Sequence, residues 1–178
     1  LDAAGVPYPD ATWNWDNYLE AFRATTKDDG SQWGTYVAHE YLPHWVWMNG
    51  GQWMNEDLFG TKCLLNEDKA MEALKFQHDL IYGDKPVSPQ TGTMGDFGWY
   101  DVFSSGKVAF MESHSWTVTN YIRQNNFKWD FVDLPVARDG GKARTSSVSR
   151  YHGRTRGAGS RTRAAFPDRE QHSLGRGG

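Results

Sequence analysis

Cysteine is nearly absent from this sequence, with Cys63 the only one among 178 residues. A single cysteine excludes an internal disulfide, so the redox compartment cannot be inferred from cysteine usage. We predict a buried, unreactive thiol, because an isolated cysteine packs as a small apolar side chain. Long apolar runs are also missing, since nothing approaches the roughly 18 consecutive apolar residues of a membrane-spanning helix.

The first residues, Leu1 to Gly5, have neither the basic start nor the apolar run of a secretion signal. They also lack an initiator methionine. We therefore expect either that an export signal has already been processed or that the true N-terminus lies upstream.

Motifs of enzyme and metal sites are absent as well. His39 and His44 are five positions apart, which fits neither a metal-ligating helix face nor a zinc cluster. Adjacent carboxylates such as Asp28 and Asp29 point in different directions on a helix, whereas glycosidase carboxylates face each other across a cleft. The sequence has no phosphate-binding glycine-rich loop and no Gly-x-Ser-x-Gly motif. We therefore predict that the protein is not an enzyme and uses no metal ion or cofactor.

Charge is divided unevenly along the chain. Residues 1–149 hold 12 basic and 20 acidic side chains, whereas residues 150–178 hold seven arginines, no lysine and two acids. An acidic body argues against nucleic acid as a partner. From residue 149 onwards the chain also has six glycines and only three large apolar residues. We therefore predict a folded, partial domain over 1–148 and a disordered tail over 149–178.

Two interpretations of this tail stay open. One is an Arg/Gly arm that binds nucleic acid. The other is the out-of-frame translation of GC-rich DNA, which the absence of lysine beside seven arginines favours.

The hydrophobic spacing predicts helices alternating with short strands. Helices are predicted at 15–26 with Asn14 as N-cap, at 41–48, at 67–82 with Asn66 as N-cap, at 99–105 and at 116–124. Strands are predicted at 33–37, 107–111 and 127–134. This alternation indicates an α/β layered fold.

Aromatic residues are abundant, at 15% of the chain with nine tryptophans. Sugar rings present apolar C–H faces ringed by hydroxyls, so a sugar site needs a flat aromatic ring beside hydrogen-bonding groups. Residues 39–45 and 112–116 combine these residue types. Trp116 is predicted where a strand gives way to a helix, and the exposed backbone N–H groups there can bind a hydroxyl. Each tryptophan taken alone has the simpler interpretation of a core residue.

Five short motifs follow one another in residues 3–147. They are Ala4-Gly5-Val6-Pro7 with Thr12-Trp13, Trp45 to Gly51, Leu65-Asn66 with Glu72-Ala73-Leu74, Phe103 to Met111 closing on Ser115-Trp116, and Trp129 to Pro135. In this order they resemble the A-G-x-P…T-W, W-x-x-x-N-G-G, L-N…E-A-L, F-x-x-G-K-V-A-M…G-S-W and W-D-x-x-x-L-P motifs of the family 1 extracellular solute-binding proteins, the maltose-binding-protein-like group. Beyond Ser147 the resemblance ends.

The resemblance implies a helix-rich, two-lobed α/β architecture of the type II periplasmic-binding-protein kind, of which this chain is a fragment that supplies mainly the second lobe. It implies Trp116 as the ring that stacks on the sugar, with Ser115, Glu40 and Tyr41 as partners of the hydroxyls. Trp45 and Trp99 are further candidates for ligand binding. The family has glycine before Ser-Trp where this chain has His114, so this chain departs from the tight turn of the family.

The function implied by the resemblance is capture of a sugar or oligosaccharide and its delivery to the permease of an ABC transporter. The protein would act as a monomer that closes around its ligand, outside the cell or in the periplasm, anchored through a lipoprotein signal ahead of Leu1. One lobe offers half of the contacts, so these residues alone are expected to bind a sugar weakly or not at all. Two alternatives stay open, a fragment of a carbohydrate-active enzyme and nucleic-acid binding through the tail.

Overall fold

Helices and short strands alternate along the chain, as the hydrophobic spacing predicts. The computed structural model describes residues 1–55, 60–90, 92–94, 99–124, 127–132, 134–135 and 148–152. The helices are α1 (Trp15–Thr25), α2 (Leu42–Met48), α3 (Asp68–Tyr82), α4 (Trp99–Ser104) and α5 (Val118–Gln124). The strands are β1 (Trp33–Tyr36), β2 (Val108–Glu112), β3 (Lys128–Val132) and β4 (Val148–His152). Short 3-10 helices occupy Asp2–Ala4, His39–Tyr41 and Ser115–Thr117.

The strands form one sheet in the order β1-β2-β4-β3. β1 and β2 run parallel, with Trp33 opposite Val108 and Tyr36 opposite Met111. β4 runs antiparallel to both of its neighbours, β2 and β3. All five residues of β2 are buried, which is typical of a strand covered on both faces of a sheet.

Helix α1 begins where the sequence predicts. The side-chain oxygen of Asn14 accepts hydrogen bonds from the backbone nitrogens of Asp16 and Asn17, at 2.9 and 3.1 Å. Asn17 returns the interaction, because its Oδ1 accepts from the Asn14 nitrogen at 3.0 Å. This reciprocal pair satisfies donors that a helix start otherwise leaves unpaired. The prediction of Asn14 as the N-cap is confirmed.

The contact between α1 and β1 requires glycine at position 34. A Cβ atom there would lie 2.2 Å from the backbone oxygen of Phe22, closer than any real side chain approaches. The nitrogen of Gly34 instead donates to Thr26 Oγ1 at 2.8 Å, just past the end of α1. Close approach of this kind holds β1 against the helix that precedes it.

The described apolar core has two parts. The larger part joins α1, α2 and α3 to the sheet and includes Trp15, Trp45 and Phe76. The smaller part lies around Phe103 and Tyr121, on α4 and α5. The two parts lie against successive residues of β2, since Phe110 belongs to the larger and Met111 to the smaller. Strand β2 therefore connects the two parts of the core.

The observed boundaries lie within two residues of the predicted ones, and two helix starts show a clear local reason for the difference. Helix α3 begins at Asp68 with Glu67 as N-cap, whereas the sequence predicts Asn66 as the cap. Asn66 lies instead inside the turn that the Glu67 nitrogen closes on the Leu64 carbonyl at 3.1 Å. Helix α5 begins at Val118, because residues 115–117 form a tighter 3-10 turn first.

Two further findings concern residues outside the core. Cys63 is exposed, so the prediction of a buried thiol is wrong. This residue lies in the connection between α2 and α3, where its backbone forms an isolated antiparallel β-bridge with Met54. The body–tail boundary predicted after residue 148 falls inside β4, where backbone pairing with β2 and β3 brings these residues into the sheet. Residues 153–178 lie outside the described residues. In the described part of the chain, no helix combines the length and the hydropathy needed to cross a membrane.

Candidate functional site

The candidate site lies at one edge of the sheet. Parallel strands end at the same edge, and both β1 and β2 end here. After β1 the chain enters the 3-10 helix His39–Tyr41 and then α2, and after β2 it passes through Ser113 and His114 into the 3-10 helix 115–117. Open α/β sheets bind ligands outside the carboxyl ends of their strands. The two aromatic-polar segments singled out in the sequence therefore meet at the edge where a ligand is expected.

Five rings gather at this edge, and we call them the ring cluster. The closest pair is His114 and Trp116, stacked with 3.9 Å between ring centroids and 21° between planes. Tyr41 lies 4.9 Å from His114 and 5.3 Å from His44. His44 also lies 6.1 Å from His114 and 5.8 Å from Trp47. The rings of His44 and His114 thus bring the segment after β1 into contact with the segment after β2.

The ring cluster runs from the core to the surface. Tyr41 is only 3% exposed, whereas Trp47 is 37% and Trp116 63% exposed. An indole that is mostly open to water although it is stacked on one side offers a flat apolar surface to a ligand.

Glu112, the last residue of β2, connects the ring cluster to the sheet. One carboxylate oxygen, Oε1, is hydrogen-bonded to Nδ1 of His44 at 2.5 Å. The other, Oε2, accepts from the indole Nε1 of Trp45 at 3.0 Å. The Glu112 residue is 8% exposed. Both oxygens of this buried carboxylate are thus bound by α2, which fixes α2 against the end of β2.

Burial sets the electrostatics of this carboxylate. It raises the pKa of Glu112 above its ordinary value, because a charged carboxylate loses hydration there. The hydrogen bond and charge of His44, and the hydrogen bond from Trp45, act in the opposite direction. The His44 imidazole and the Trp45 indole therefore offset part of the desolvation that raises the pKa of Glu112.

A hydroxyl network fixes the turn that carries Trp116. Ser113 Oγ is hydrogen-bonded to Thr117 Oγ1 at 2.8 Å and to the Tyr121 hydroxyl at 3.2 Å. The carbonyl of His114 accepts from both Thr117 Oγ1, at 2.6 Å, and the Thr117 nitrogen, at 3.0 Å. Ser113 and Thr117 are buried. These buried hydrogen bonds fix the backbone of the turn on which the exposed Trp116 lies.

The structure places the six predicted ligand-binding residues differently. Trp116 is exposed in the ring cluster, Tyr41 is buried within it, and Glu40 precedes Tyr41 with a half-exposed carboxylate 3.7 Å from His39. Trp45 is 8% exposed and packs on Trp15 and Phe76, with its Nε1 bound to Glu112. Ser115 lies in the 3-10 helix after β2, and Trp99 begins α4. The side chains of Ser115 and Trp99 lie outside what the structure describes.

Four residues of the site are missing from the sequence prediction: His44, Trp47, Glu112 and His114. All but Trp47 lie within the two segments that the sequence singled out, where the prediction named the tryptophans, the tyrosine, the serine and Glu40. Sequence reasoning could have found two of them by considering that an acid at the end of one parallel strand, Glu112, can pair with an imidazole that follows the neighbouring strand, His44. Among the described residues, no group of three or more His, Cys, Asp or Glu side chains could hold a metal ion.

Two other concave regions do not coincide with the ring cluster. An open groove of about 940 Å³ runs between α1 and α3, lined by side chains of both charges such as Arg23, Lys75 and Asp79. Lys75 and Asp79 already pair across one helical turn at 2.9 Å. A cavity of about 20 Å³, bordered by Tyr36, Trp45 and Glu112, has room for about one water molecule. Tyr82, 55% exposed, lines the larger groove, but no residue that directly follows β1 or β2 lines it.

Comparison with solved structures identifies the fold, whereas no protein-family model and no curated protein sequence matches the chain. An ABC substrate-binding protein from Listeria monocytogenes, solved with cycloalternan, matches with a TM-score of 0.68 and 25% identity, over 84% of this chain and 38% of that one. UspC from M. tuberculosis matches with a TM-score of 0.64 and 24% identity, over 85% and 43%. The maltose/maltodextrin-binding domain MalE from Bdellovibrio bacteriovorus, bound to maltotriose, matches with a TM-score of 0.62 and 18% identity, over 82% and 39%.

This chain therefore spans 38% to 43% of the length of these three proteins. The match extends over more than four fifths of the chain in each case, so it covers both the sheet and the helices packed on it. The predicted architecture is confirmed. The chain carries the type II periplasmic-binding-protein fold of the ABC-transporter solute-binding proteins, the group that its sequence resembles.

Proposed function

We propose that this protein captures a sugar or oligosaccharide for import by an ABC transporter. The observation that carries the proposal is the Trp116 indole, 63% exposed at the carboxyl edge of two parallel strands. A pyranose ring has apolar C–H faces, and stacking one of them on an indole removes apolar surface from water on both sides. An exposed, positioned indole at this edge suits a sugar better than a charged or metal-bound ligand.

Polar groups for the sugar hydroxyls surround this ring in the proposed site. Glu40 brings a half-exposed carboxylate, and Ser115 adjoins Trp116 in the sequence. Tyr41 and Trp45 are buried, so we assign them the role of supporting the site from below. Trp99 stays a candidate on the strength of the sequence alone. A carboxylate can accept two hydroxyl hydrogen bonds, which gives the orientation that stacking alone does not.

The ligands of two similar proteins support this ligand class. One protein is solved with cycloalternan and another with maltotriose, which are both oligosaccharides. We infer a ligand of the same class here, and we choose maltotriose as the probe because it is linear, soluble and neutral.

The proposed mechanism involves binding without chemistry. The ligand shifts an equilibrium between open and closed forms, and the closed form is what the permease engages. We propose that the protein acts outside the cell or in the periplasm, as a monomer anchored to the membrane by a lipoprotein signal. Each of these statements follows from the resemblance to proteins of this fold.

The test is a titration of the full chain with maltotriose, monitored by NMR. The ligand concentration covers the millimolar range, because a millimolar dissociation constant corresponds to a binding free energy near −4 kcal/mol. We expect weak, saturable shifts that include the Trp116 indole N–H. Replacing Trp116 with Ala should weaken binding by about 1–3 kcal/mol, the usual cost of truncating an aromatic anchor. Tyr82→Ala is the matched control, because Tyr82 is an exposed aromatic residue on α3.

Equal loss of affinity in the Trp116→Ala and Tyr82→Ala variants would contradict the proposal for Trp116. Binding of maltotriose that shifts no resonance of the ring cluster would place the site elsewhere. If neither maltotriose nor cycloalternan binds at millimolar concentration, these residues alone do not hold a sugar, and the Trp116→Ala comparison is made in a protein that contains both lobes.

A further inference from the structure

His114 occupies an unusual position under Trp116. Its imidazole covers one face of the indole at 3.9 Å with the planes 21° apart. Trp116 nevertheless remains 63% exposed, so the side chain rests on a support and keeps a large open surface. An exposed tryptophan with no support would sample several rotamers, and ordering it on ligand binding would cost conformational entropy.

The imidazole of His114 is itself held by other side chains. Tyr41, 3% exposed, lies 4.9 Å from it. His44 lies 6.1 Å away with the ring planes perpendicular, and its Nδ1 is bound to the buried Glu112 at 2.5 Å. An unbroken series of contacts therefore runs from the end of β2 through α2 to the exposed indole.

The elements around the site carry several titratable groups, of which His44 and Glu40 act on the charge of His114. The 3-10 helix before α2 brings His39, Glu40 and Tyr41, and α2 brings His44. The strands bring Glu112 and Tyr36, whose pKa is raised by burial and by the charge of Glu40. Helix α5 brings Arg123, which is exposed, and Tyr121, whose hydroxyl is turned inward to Ser113 and Met111.

These surroundings favour a neutral imidazole. Partial burial lowers the pKa of His114 below its ordinary value of 6.5, and the positive charge of His44 lowers it further, while Glu40 acts in the opposite direction. Because burial and the charge of His44 lower the pKa of His114, protonation works against the arrangement that buries this imidazole beside His44 and under Trp116. The stack is therefore fully favoured above about pH 6.5 and is weakened as the pH falls from there to the lowered pKa.

We propose that His114 is a positioning residue: its neutral imidazole holds the Trp116 indole as a fixed stacking surface, and protonation of His114 releases that indole. Ligand binding at this edge is consequently linked to pH in the mildly acidic range. Only the identity of the ligand rests on the function proposed above, because the support of Trp116 by His114 exists in the free protein.

The first experiment needs no ligand. It follows the Trp116 indole N–H resonance, identified by its loss in a Trp116→Phe spectrum, from about pH 7.5 to about pH 5, the range in which histidines titrate. We expect this resonance to move with a midpoint equal to the pKa measured for the His114 ring protons, and that midpoint to lie below 6.5. In the His114→Phe variant, which keeps a flat ring but cannot be protonated, the movement should be lost.

Two variants serve as controls. His114→Ala removes the support, so its Trp116 resonance should resemble the acidic wild-type resonance at every pH. His78→Phe is the matched substitution, since His78 also lies beside an aromatic ring, 5.2 Å from Tyr82 on α3, but is exposed to water. It should leave the pH profile of Trp116 unchanged. The proposal is overturned if the Trp116 resonance titrates identically in wild type and in the His114→Phe variant.

The second experiment adds maltotriose at about pH 7.5 and about pH 5, on either side of the histidine range. We expect acidification to weaken binding by roughly three- to tenfold in the wild type, the factor that corresponds to loss of one aromatic stack. His114→Phe should reduce this pH effect to less than about twofold, and His114→Ala should bind weakly at both values. If maltotriose does not bind at all, sugar capture fails for this probe, and the ligand-free titration still decides the role of His114.

Discussion

Two aromatic groups in this chain use similar side chains and meet water differently. Around Trp15, Trp45 and Phe76 the ring centroids lie 4.6 to 5.4 Å apart, and no member is more than 8% exposed. In the ring cluster, Trp116 and His114 lie closer still, at 3.9 Å, yet Trp116 is 63% exposed. Tight stacking is therefore no sign of a core residue. The open ring face is what separates a binding group from a packing group.

The polar edges of the buried group also differ from those of the site. The indole Nε1 of Trp15 has no hydrogen-bond partner within the described part of the chain, whereas that of Trp45 is bound to Glu112. Trp45 thus belongs to both groups: its ring packs in the core and its N–H supports the site. Substitutions can separate these contributions.

The largest expected effect is on the buried side of the comparison. Trp15→Ala should lower the free energy of unfolding by about 3–5 kcal/mol, because it removes a large, fully buried side chain and leaves a cavity beside Phe76. Urea denaturation followed by circular dichroism measures the loss. A decrease below about 1 kcal/mol would mean that the surrounding rings collapse into the space, and that this cluster is not the rigid half of the molecule.

A smaller effect is expected at Glu112, where the two groups meet. Glu112→Ala should cost about 2–4 kcal/mol of unfolding free energy, because the N–H of Trp45 and the Nδ1 of His44 both lose a buried partner. Glu112→Gln keeps the shape and should cost less. Denaturation of both variants beside the wild type at one pH gives the two differences, and equal costs would show that only side-chain volume matters there.

The wild type and the Glu112→Gln variant also test how the charge of Glu112 affects stability. Because the pKa of Glu112 is raised from 4.5 by burial, its contribution to stability is fully present below 4.5 and is lost as the pH rises through the raised pKa. The wild type should therefore show this decline, and Glu112→Gln should not. Denaturation midpoints across the acidic range measure it, and parallel profiles for the two proteins would contradict it.

The smallest expected effect is at the exposed end. Trp116→Ala should change the free energy of unfolding by less than about 0.5 kcal/mol, since the side chain is mostly in water already. The same substitution is expected to weaken sugar binding, so stability and binding should separate at this residue alone. A loss of stability as large as that in Trp15→Ala would make Trp116 a packing residue and remove the contrast.

Much of the fold could be predicted from local sequence patterns. The cap at Asn14, the helical spacing of Trp15 and Phe22, and the apolar run of β2 are local features, and the structure confirms them. The cap of α3 was misplaced by one residue, because both Asn66 and Glu67 are compatible with a helix start and the turn from Leu64 decides between them. Strand β4 could not be predicted, since backbone pairing with two neighbouring strands requires no apolar composition.

The site could be located from the sequence but not assembled. Trp116 was found because it follows a strand in a segment that mixes aromatic and polar residues. The contacts that support it join residues far apart in the sequence: His44 and Glu112 are 68 positions apart. Nothing in the local pattern around either residue indicates the other, so their pairing depends on the parallel register of β1 and β2.

That parallel register has a consequence for how the chain folds. Trp33 of β1 and Val108 of β2 are about 75 positions apart, so their pairing closes a long loop before any of its hydrogen bonds form. Contacts of such long range are slow to form, whereas α1, α2 and α3 are built from local contacts. Tyr41 and His44 are therefore synthesised well before His114 and Trp116, and their contacts with these two residues require the sheet. The candidate ligand edge is therefore complete only when β1 and β2 pair, so its assembly depends on a contact of long sequence range.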